Sequence, residues 1–444
     1  MEDLHVKKHL TSFQVIILSF AAVILLGTIL LMLPISSQTR VITPLNEALF
    51  TATSAVCVTG LVVQDTASYW SAFGQTVILL LIQVGGMGVI TVALSFSLVS
   101  GKKISLMQRS TMQEAIGATQ VGGIVRLTSF VIHTIFVIEL LGALVMMPIF
   151  VTDFGPKGIW MAVFHSISAF CNAGFDLMGT KEVPFASMTS YATHPIVIIV
   201  LMLLIVVGGI GFRTWDDVRT KRHHFKQYSM QSKVVLVTSL LLIVFPAIFF
   251  FIFEPMGVTV KERVWGAIFQ AISPRTAGFN TVDLAQMSGP GQCIMIILML
   301  IGGSPGSTAG GMKTTILAVL FANAIATFKR RESPQIFGRR IDSDVVKNAA
   351  TILMMYLTLF ICGGVIISVI EGIPVGTCLF ETASAVGTVG LTLGITSQLG
   401  IVSQIILMIL MFFGRVGGLT LIYAALSGVN KNLSKLPQEK IVVG

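Results

Sequence analysis

Charge is scarce in this sequence. Only 11% of its 444 residues are Asp, Glu, Lys or Arg, against about 25% in a soluble domain. That scarcity excludes an ordinary soluble fold and leaves lipid as the solvent for much of the chain. Cysteine is scarce too. Cys57, Cys171, Cys293, Cys362 and Cys378 form no CxxC pair, which argues against a disulfide framework or a zinc site. The seven histidines, His223 and His224 included, lack ligand spacing, and His165 is read as a packed, hydrogen-bonded residue. No cluster of His, Asp, Glu or Cys falls at membrane depth, so nothing supports a membrane enzyme. A phosphate-binding GxxxxGK[ST] is missing as well: Met312 separates Gly311 from Lys313, and an apolar segment precedes.

What the sequence has is apolar length: 54% of its residues are hydrophobic and the mean hydropathy is +0.89. About 20 such residues span a bilayer as a helix. Runs of that order occupy 13–34, 73–99, 127–151, 193–212, 234–254, 291–328 (interrupted), 346–370 and 399–426, which predicts eight spans. The first is too long for a signal-peptide core and no small-residue cleavage site follows it, so it is expected to be a retained membrane helix. Four shorter segments, 45–56, 159–170, 263–274 and 375–386, cannot span and read as re-entrant helices.

The net charge of +9 is a matter of topology and gives no reason to expect nucleic acid as a partner. If both termini are cytoplasmic, the inner segments (the N-terminus, 100–126, 213–233, 329–347 and the C-terminal tail) hold 21 of the 29 basic residues, and the outer ones hold five. This bias fits the positive-inside rule. It also requires each short segment to enter and leave on the outer side.

An internal repeat carries the functional reading. Phe-x-x-x-Ser followed by glycine occurs as Phe50/Ser54/Gly60, Phe164/Ser168/Gly174, Phe269/Ser273/Gly278 and Phe380/Ser384/Gly390. The Phe–Ser spacing of four puts both on one helix face. The third copy is one residue shorter between Ser and Gly. A short helix that stops in the membrane and returns as extended backbone leaves carbonyls free to replace an ion's hydration shell. Its negative C-terminal end also favours a cation. The expected filter is Val58, Thr59 and Gly60; Asn172, Ala173 and Gly174; Thr276, Ala277 and Gly278; and Thr388, Val389 and Gly390. Asp65, Asp176 and Asp283 follow three of these and are candidates for an outer vestibule that concentrates cations, or for ordinary loop charge.

The interruption reads Gly302, Gly303, Ser304, Pro305, Gly306, Ser307, Thr308, Ala309, Gly310 and Gly311. Proline and this much glycine cannot sustain a helix. A loop able to move aside beneath the filter is the favoured reading, and a packing kink rich in small residues is the alternative. Arg415 in the last span is expected to act in gating, by repelling the ion or holding the loop, unless a buried carboxylate pairs with it. Lys313 is a weaker case of the same kind. Arg275 is expected to brace the filter through carbonyls, Glu47 or Glu381. Glu139 has no obvious partner.

Val58-Thr-Gly-Leu61, Asn172-Ala-Gly-Phe175, Pro274-Arg-Thr-Ala-Gly-Phe-Asn280 and Gly387-Thr-Val-Gly-Leu391 resemble the membrane subunit of the Ktr/Trk/HKT superfamily of potassium transporters, most of all the bacterial Ktr type. The resemblance runs over nearly the whole chain, without the extra N-terminal helices of the Trk type. It implies an all-α, multi-pass protein of the bacterial plasma membrane. Four pseudo-symmetric helix–pore loop–helix repeats (1–110, 111–232, 233–340 and 341–444) would surround one pore with cytoplasmic termini. It further implies potassium held at the carbonyls before the four glycines, an intramembrane gate at 302–313 with Arg415, sodium as activator, a homodimer, and a cytoplasmic ring of ATP- or ADP-binding regulatory subunits. The chain itself carries no nucleotide-binding domain, so no cofactor is expected on it. A secondary transporter with a midplane solute site also uses repeats and broken helices, but has no need of four matched loops on one side.

Overall fold

The computed structural model describes residues 11–89, 91–92, 109, 113, 123–254, 256–257, 259–417 and 439. Its helices are α1 (Ser12–Met32), α2 (Leu45–Val56), α3 (Ala72–Met87), α4 (Ile124–Phe154), α5 (Lys157–Phe170), α6 (Pro195–Gly209), α7 (Phe212–Lys221), α8 (Met230–Phe253), α9 (Val260–Ile272), α10 (Gly289–Leu300), α11 (Thr314–Phe328), α12 (Ser343–Glu371), α13 (Val375–Gly387) and α14 (Ile401–Val416). The order long helix, short helix, extended turn, second helix recurs four times, from α1, α4, α8 and α12 in turn.

The long helices α1, α4, α8 and α12 have the length and hydropathy to cross a bilayer. They expose Leu25, Leu140, Phe245 and Val369 on their outer faces, as lipid-facing surfaces do. The second helices α3, α10, α11 and α14 are apolar but only 12 to 16 residues long. The eight expected runs are thus four full-length helices, these shorter ones, and α6. The expected continuations at 93–99 and 418–426 lie outside the described residues.

Short helices begin where the sequence forces a turn. Pro44, Pro156 and Pro374 stand at the N-caps of α2, α5 and α13, with φ fixed by the ring. α9 instead starts on a capping box of Thr259 and Glu262. All four are buried at their C-terminal halves, with Phe50, Phe164, Phe269 and Phe380 fully enclosed. The core of the molecule lies there.

Three of the second helices end on glycine. Gly88, Gly211 and Gly417 follow α3, α6 and α14 with φ of 86°, 90° and 87°, a region that only glycine enters freely. At Gly211 the chain turns by 97° from α6 into the polar α7. Asp217 of α7 accepts from Ser229 N (3.0 Å), Ser229 Oγ (2.6 Å), Ser232 Oγ (2.7 Å) and Lys221 Nζ, and so clasps α7 to the start of α8. Burial alone would raise its pKa, but these donors outweigh burial and hold the carboxyl down at about 2. Among the described residues the two salt bridges, Lys221–Asp217 and Lys347–Asp344, lie in the polar α7 and at the start of α12.

The all-helical expectation needs one amendment. β1 (Gln335–Ile336) and β2 (Arg339–Arg340) pair antiparallel. The residues between them, Phe337 and Gly338, both have positive φ (49° and 73°), the requirement of a two-residue hairpin turn.

Candidate functional site

The four extended segments share one backbone conformation. Val58, Asn172, Thr276 and Thr388 have φ of 56°, 58°, 71° and 51°, and the glycines two residues on, Gly60, Gly174, Gly278 and Gly390, have 95°, 69°, 81° and 97°. Left-handed backbone is strained for a non-glycine residue, so four copies of it mean that the surroundings enforce the shape. The repeated serine supplies part of that enforcement. Its carbonyl accepts from Thr59, Ala173, Ala277 and Val389 N at 2.8 to 2.9 Å. In the first and fourth copies its hydroxyl accepts from Gly60 N (3.0 Å) and Gly390 N (2.9 Å). In the second and third it donates onward, to Phe175 O (2.7 Å) and to Phe279 O. The one-residue deletion in the third copy is absorbed by letting Ser273 itself cap α9.

The structure brings the four glycines together. A Cβ on Gly60 would strike Ala173 O and Gly174 Cα; on Gly174, Ala277 O and Gly278 Cα; on Gly278, Val389 O and Gly174 Cα; on Gly390, Thr59 O and Gly60 Cα. Each glycine therefore leans on the segment of a neighbouring copy. The cyclic order 1, 2, 3, 4 closes through the contact of Gly390 with Gly60. The C-terminal ends of α2, α5, α9 and α13 lead into this ring and bring the negative ends of four helix dipoles to it. Thr59, Thr276 and Thr388 are buried with hydroxyls that meet no partner among the described residues.

All four glycines border one cavity of about 100 Å³, together with Asp65, Asp176, Thr392 and Thr396. Asp65 is spoken for: it caps Ser68 N (2.8 Å) and accepts from Phe185 N of the next repeat (2.9 Å). Asp176 accepts from Met178 N (3.0 Å). Asp283 does not join them. It is exposed, caps Ala285 N, and lines a separate cavity with Glu254 and Glu262.

The chain from Gly302 to Gly311 is an irregular loop between α10 and α11, as its composition required. It is bonded to its surroundings at several points. Ser304 N and Thr308 N donate to Gly209 O (3.0 Å) and Gly208 O (3.2 Å), Thr308 Oγ1 to Phe170 O at the end of α5 (3.0 Å), and Gly311 N to Gly414 O (3.1 Å). Phe212 N in turn donates to Gly306 O (2.6 Å). Gly310 lies against Thr388 of the fourth segment, and Gly302 against Gly310 O. Ser307 donates to Ser304 O. Pro305, Gly306, Ser307, Ala309, Lys313 and Arg415 line a second cavity of about 230 Å³.

The cations meet carbonyls. Arg415 donates to Thr308 O, Gly85 O and Gly86 O (3.1 Å). It thus joins the loop to the end of α3, and among the described residues no carboxylate pairs with it. Lys313 Nζ donates to Ala309 O (2.8 Å) and Gly310 O (3.3 Å). Arg275 corrects an expectation. Its guanidinium donates to Ser239 Oγ on α8 (3.0 Å), while Glu47 accepts from Gln64 and Glu381 from Thr392 and Thr396. Glu139 has partners after all: Gln83 Nε2 donates to it at 3.1 Å and Cys171 Sγ lies 3.8 Å away.

Sequence reasoning missed a second fourfold signal. Gly85-Gly86-Met87-Gly88, Gly208-Gly209-Ile210-Gly211, Gly302-Gly303 and Gly414-Arg415-Val416-Gly417 end the second helices or open the loop. Gly85, Gly208 and Gly414 pass so close to Val56, Phe170 and Val386 O that no side chain fits. Arg415 thus occupies the place of Gly86, Gly209 and Gly303.

Residues 6–435 match the family model described as TrkH, cation transport protein. The chain is 38% identical to the potassium/sodium uptake protein NtpJ of Enterococcus hirae, covering 99% of this chain and 98% of that one. It is 36% identical to the Ktr system potassium uptake protein B of Bacillus subtilis, covering 97% and 96%. In fold it is similar to the crystal structure of the potassium transporter TrkH from Vibrio parahaemolyticus. That match has a TM-score of 0.74 and 17% identity, over 95% of this chain and 86% of that one.

Proposed function

The chain belongs to the TrkH family of cation transport proteins, and from that premise we propose that it is the plasma-membrane subunit of a Ktr-type system, carrying potassium through one pore at the centre of its four repeats. The observation that carries this reading is the closed ring of Gly60, Gly174, Gly278 and Gly390, each set against the carbonyl that precedes the glycine of a neighbouring repeat. Carbonyls of Thr59, Ala173, Ala277 and Val389 so placed substitute for water around an ion that has shed its shell. Asp65 and Asp176 bias the outer cavity toward cations. The loop at 302–311, pinned by Arg415, closes the far side. Its release opens the path, which makes Arg415 the latch of the gate. A ring built without negative side chains at its narrowest point favours a monovalent ion over a divalent one, because it lacks the charge to balance two.

The reading extends to a homodimer under a cytoplasmic nucleotide-binding ring and to sodium as activator, as the resemblance to Ktr-type membrane subunits implies. The basic surface at Arg330, Arg331, Arg339 and Arg340, around the β1–β2 hairpin, is the candidate docking face. The direct test is potassium uptake in cells deprived of their own uptake systems, with sodium varied. Gly60→Ser or Gly278→Ser is expected to weaken uptake and to reduce the preference for potassium over sodium. Unchanged relative affinity in both variants would overturn the filter assignment.

A further inference from the structure

Behind the glycine ring, the four short helices carry another repeated position that the ion pathway does not use. The residue after the repeated phenylalanine is Thr51, His165, Gln270 and Glu381, and all four are fully buried. A buried polar side chain is costly unless bonded, and here the four divide into two kinds.

Two of them hold the strand that leaves the ring. His165 Nδ1 donates to Met161 O at 2.7 Å, which leaves Nε2 to accept from Leu177 N at 3.1 Å, three residues beyond Gly174. Glu381 accepts from Thr396 Oγ1 at 3.0 Å and from Thr392 Oγ1, two residues beyond Gly390. The other two do not. The hydroxyl of Thr51 and both amide atoms of Gln270 meet no partner among the described residues. Their exit strands are held by other bonds, four and two residues beyond the glycine. Gln64 Nε2 donates to Glu47 at 2.9 Å, and Asn280 is held by Ser187 and Met188 from the loop of the second repeat (3.1 and 3.0 Å). Since the ring runs 1, 2, 3, 4, the two strands held by this repeated position face each other across it.

We propose that His165 and Glu381 are positioning residues that fix the width of the ring across one diagonal and so set its preference for potassium over sodium. The inference rests on the filter reading. A rigid diagonal penalises the smaller ion, which cannot draw both carbonyls inward.

The test uses the full chain with its partner subunits in uptake-deficient cells. KM and Vmax are measured for potassium and for sodium, and membrane abundance by immunoblot. His165→Leu and Glu381→Leu are each expected to shrink the potassium-to-sodium KM discrimination about tenfold, the cost of one buried hydrogen bond to the brace. His165→Gln and Glu381→Gln, which keep an acceptor, are expected to restore most of it. Thr51→Val and Gln270→Leu are expected to change it by less than about twofold. Where a leucine variant fails to reach the membrane, Thr392→Val and Thr396→Val carry the same measurement from the other side of the bond. The proposal falls if discrimination is unchanged in the brace variants, or if Gln270→Leu shifts it as far as Glu381→Leu. Gly278→Ser runs alongside. If that variant also leaves discrimination intact, the filter reading itself fails; if it alone shifts discrimination, only the brace fails.

Discussion

Arg415 is a single side chain holding three backbone oxygens on two elements. A guanidinium in an apolar bundle persists because the carbonyls of Thr308, Gly85 and Gly86 replace its water, and its removal strands them. Arg415→Gln is expected to shift the closed-to-open balance of the loop by about tenfold or more, one or two charged hydrogen bonds being lost. The measurement is potassium flux in cells that lack the regulatory partner, where basal flux should rise. Gly278→Ala is expected to be nearly as damaging as the serine variant, because φ of 81° and the nearby Val389 O object to any Cβ; matched uptake curves for Gly278→Ala and the unaltered chain would contradict this. Single residues divide sharply in how legible they were. Glycines showed themselves through spacing. Arg275 did not, since Ser239 lies 36 residues upstream on another helix and only the rotation of α8 brings it round.

The irregular loop between α10 and α11 is held at each end by neighbours: α6 through Gly208 and Gly209, α14 through Gly414. Deleting 304–309 removes the bonds to α6 together with the hold of Arg415 on Thr308 O, and potassium flux is expected to rise and to lose its dependence on the regulatory partner. Flux still regulated as before would sink the gate. The clasp of α7 is independent of it. Asp217 has its pKa depressed in the folded state, so its contribution is fully present above the ordinary carboxylate range and fades only as pH falls toward about 2. Asp217→Asn should therefore lower the melting temperature of the solubilised protein by about 2–4 °C at pH 7, and the loss should be the same at pH 6. At this scale the four short helices were readable because they are apolar and too short to span, three of them opening on proline. The exact ends of the second helices were not, because a glycine pair in an apolar run signals equally a kink, a close approach or a stop.

As a whole, the chain reads as a membrane protein from hydropathy alone, and its repeat was visible in four matched motifs. The ring order was not, since sequence spacing does not say which copy touches which. The distribution of Lys and Arg makes a further prediction: an epitope at either terminus should be reached by antibody only after the membrane is permeabilised. Labelling of intact cells would overturn the assigned orientation.

The contact of Gly390 with Gly60 has a consequence for biosynthesis. The first and last copies of the motif are neighbours, so the ring cannot close until nearly all of the chain has left the ribosome. Until then the exposed backbone of the first three segments faces either lipid or the insertion machinery, and lipid offers it no hydrogen bonds. Chains truncated before the fourth repeat would lack the partner of Gly60 and are expected to be degraded rather than to retain partial function.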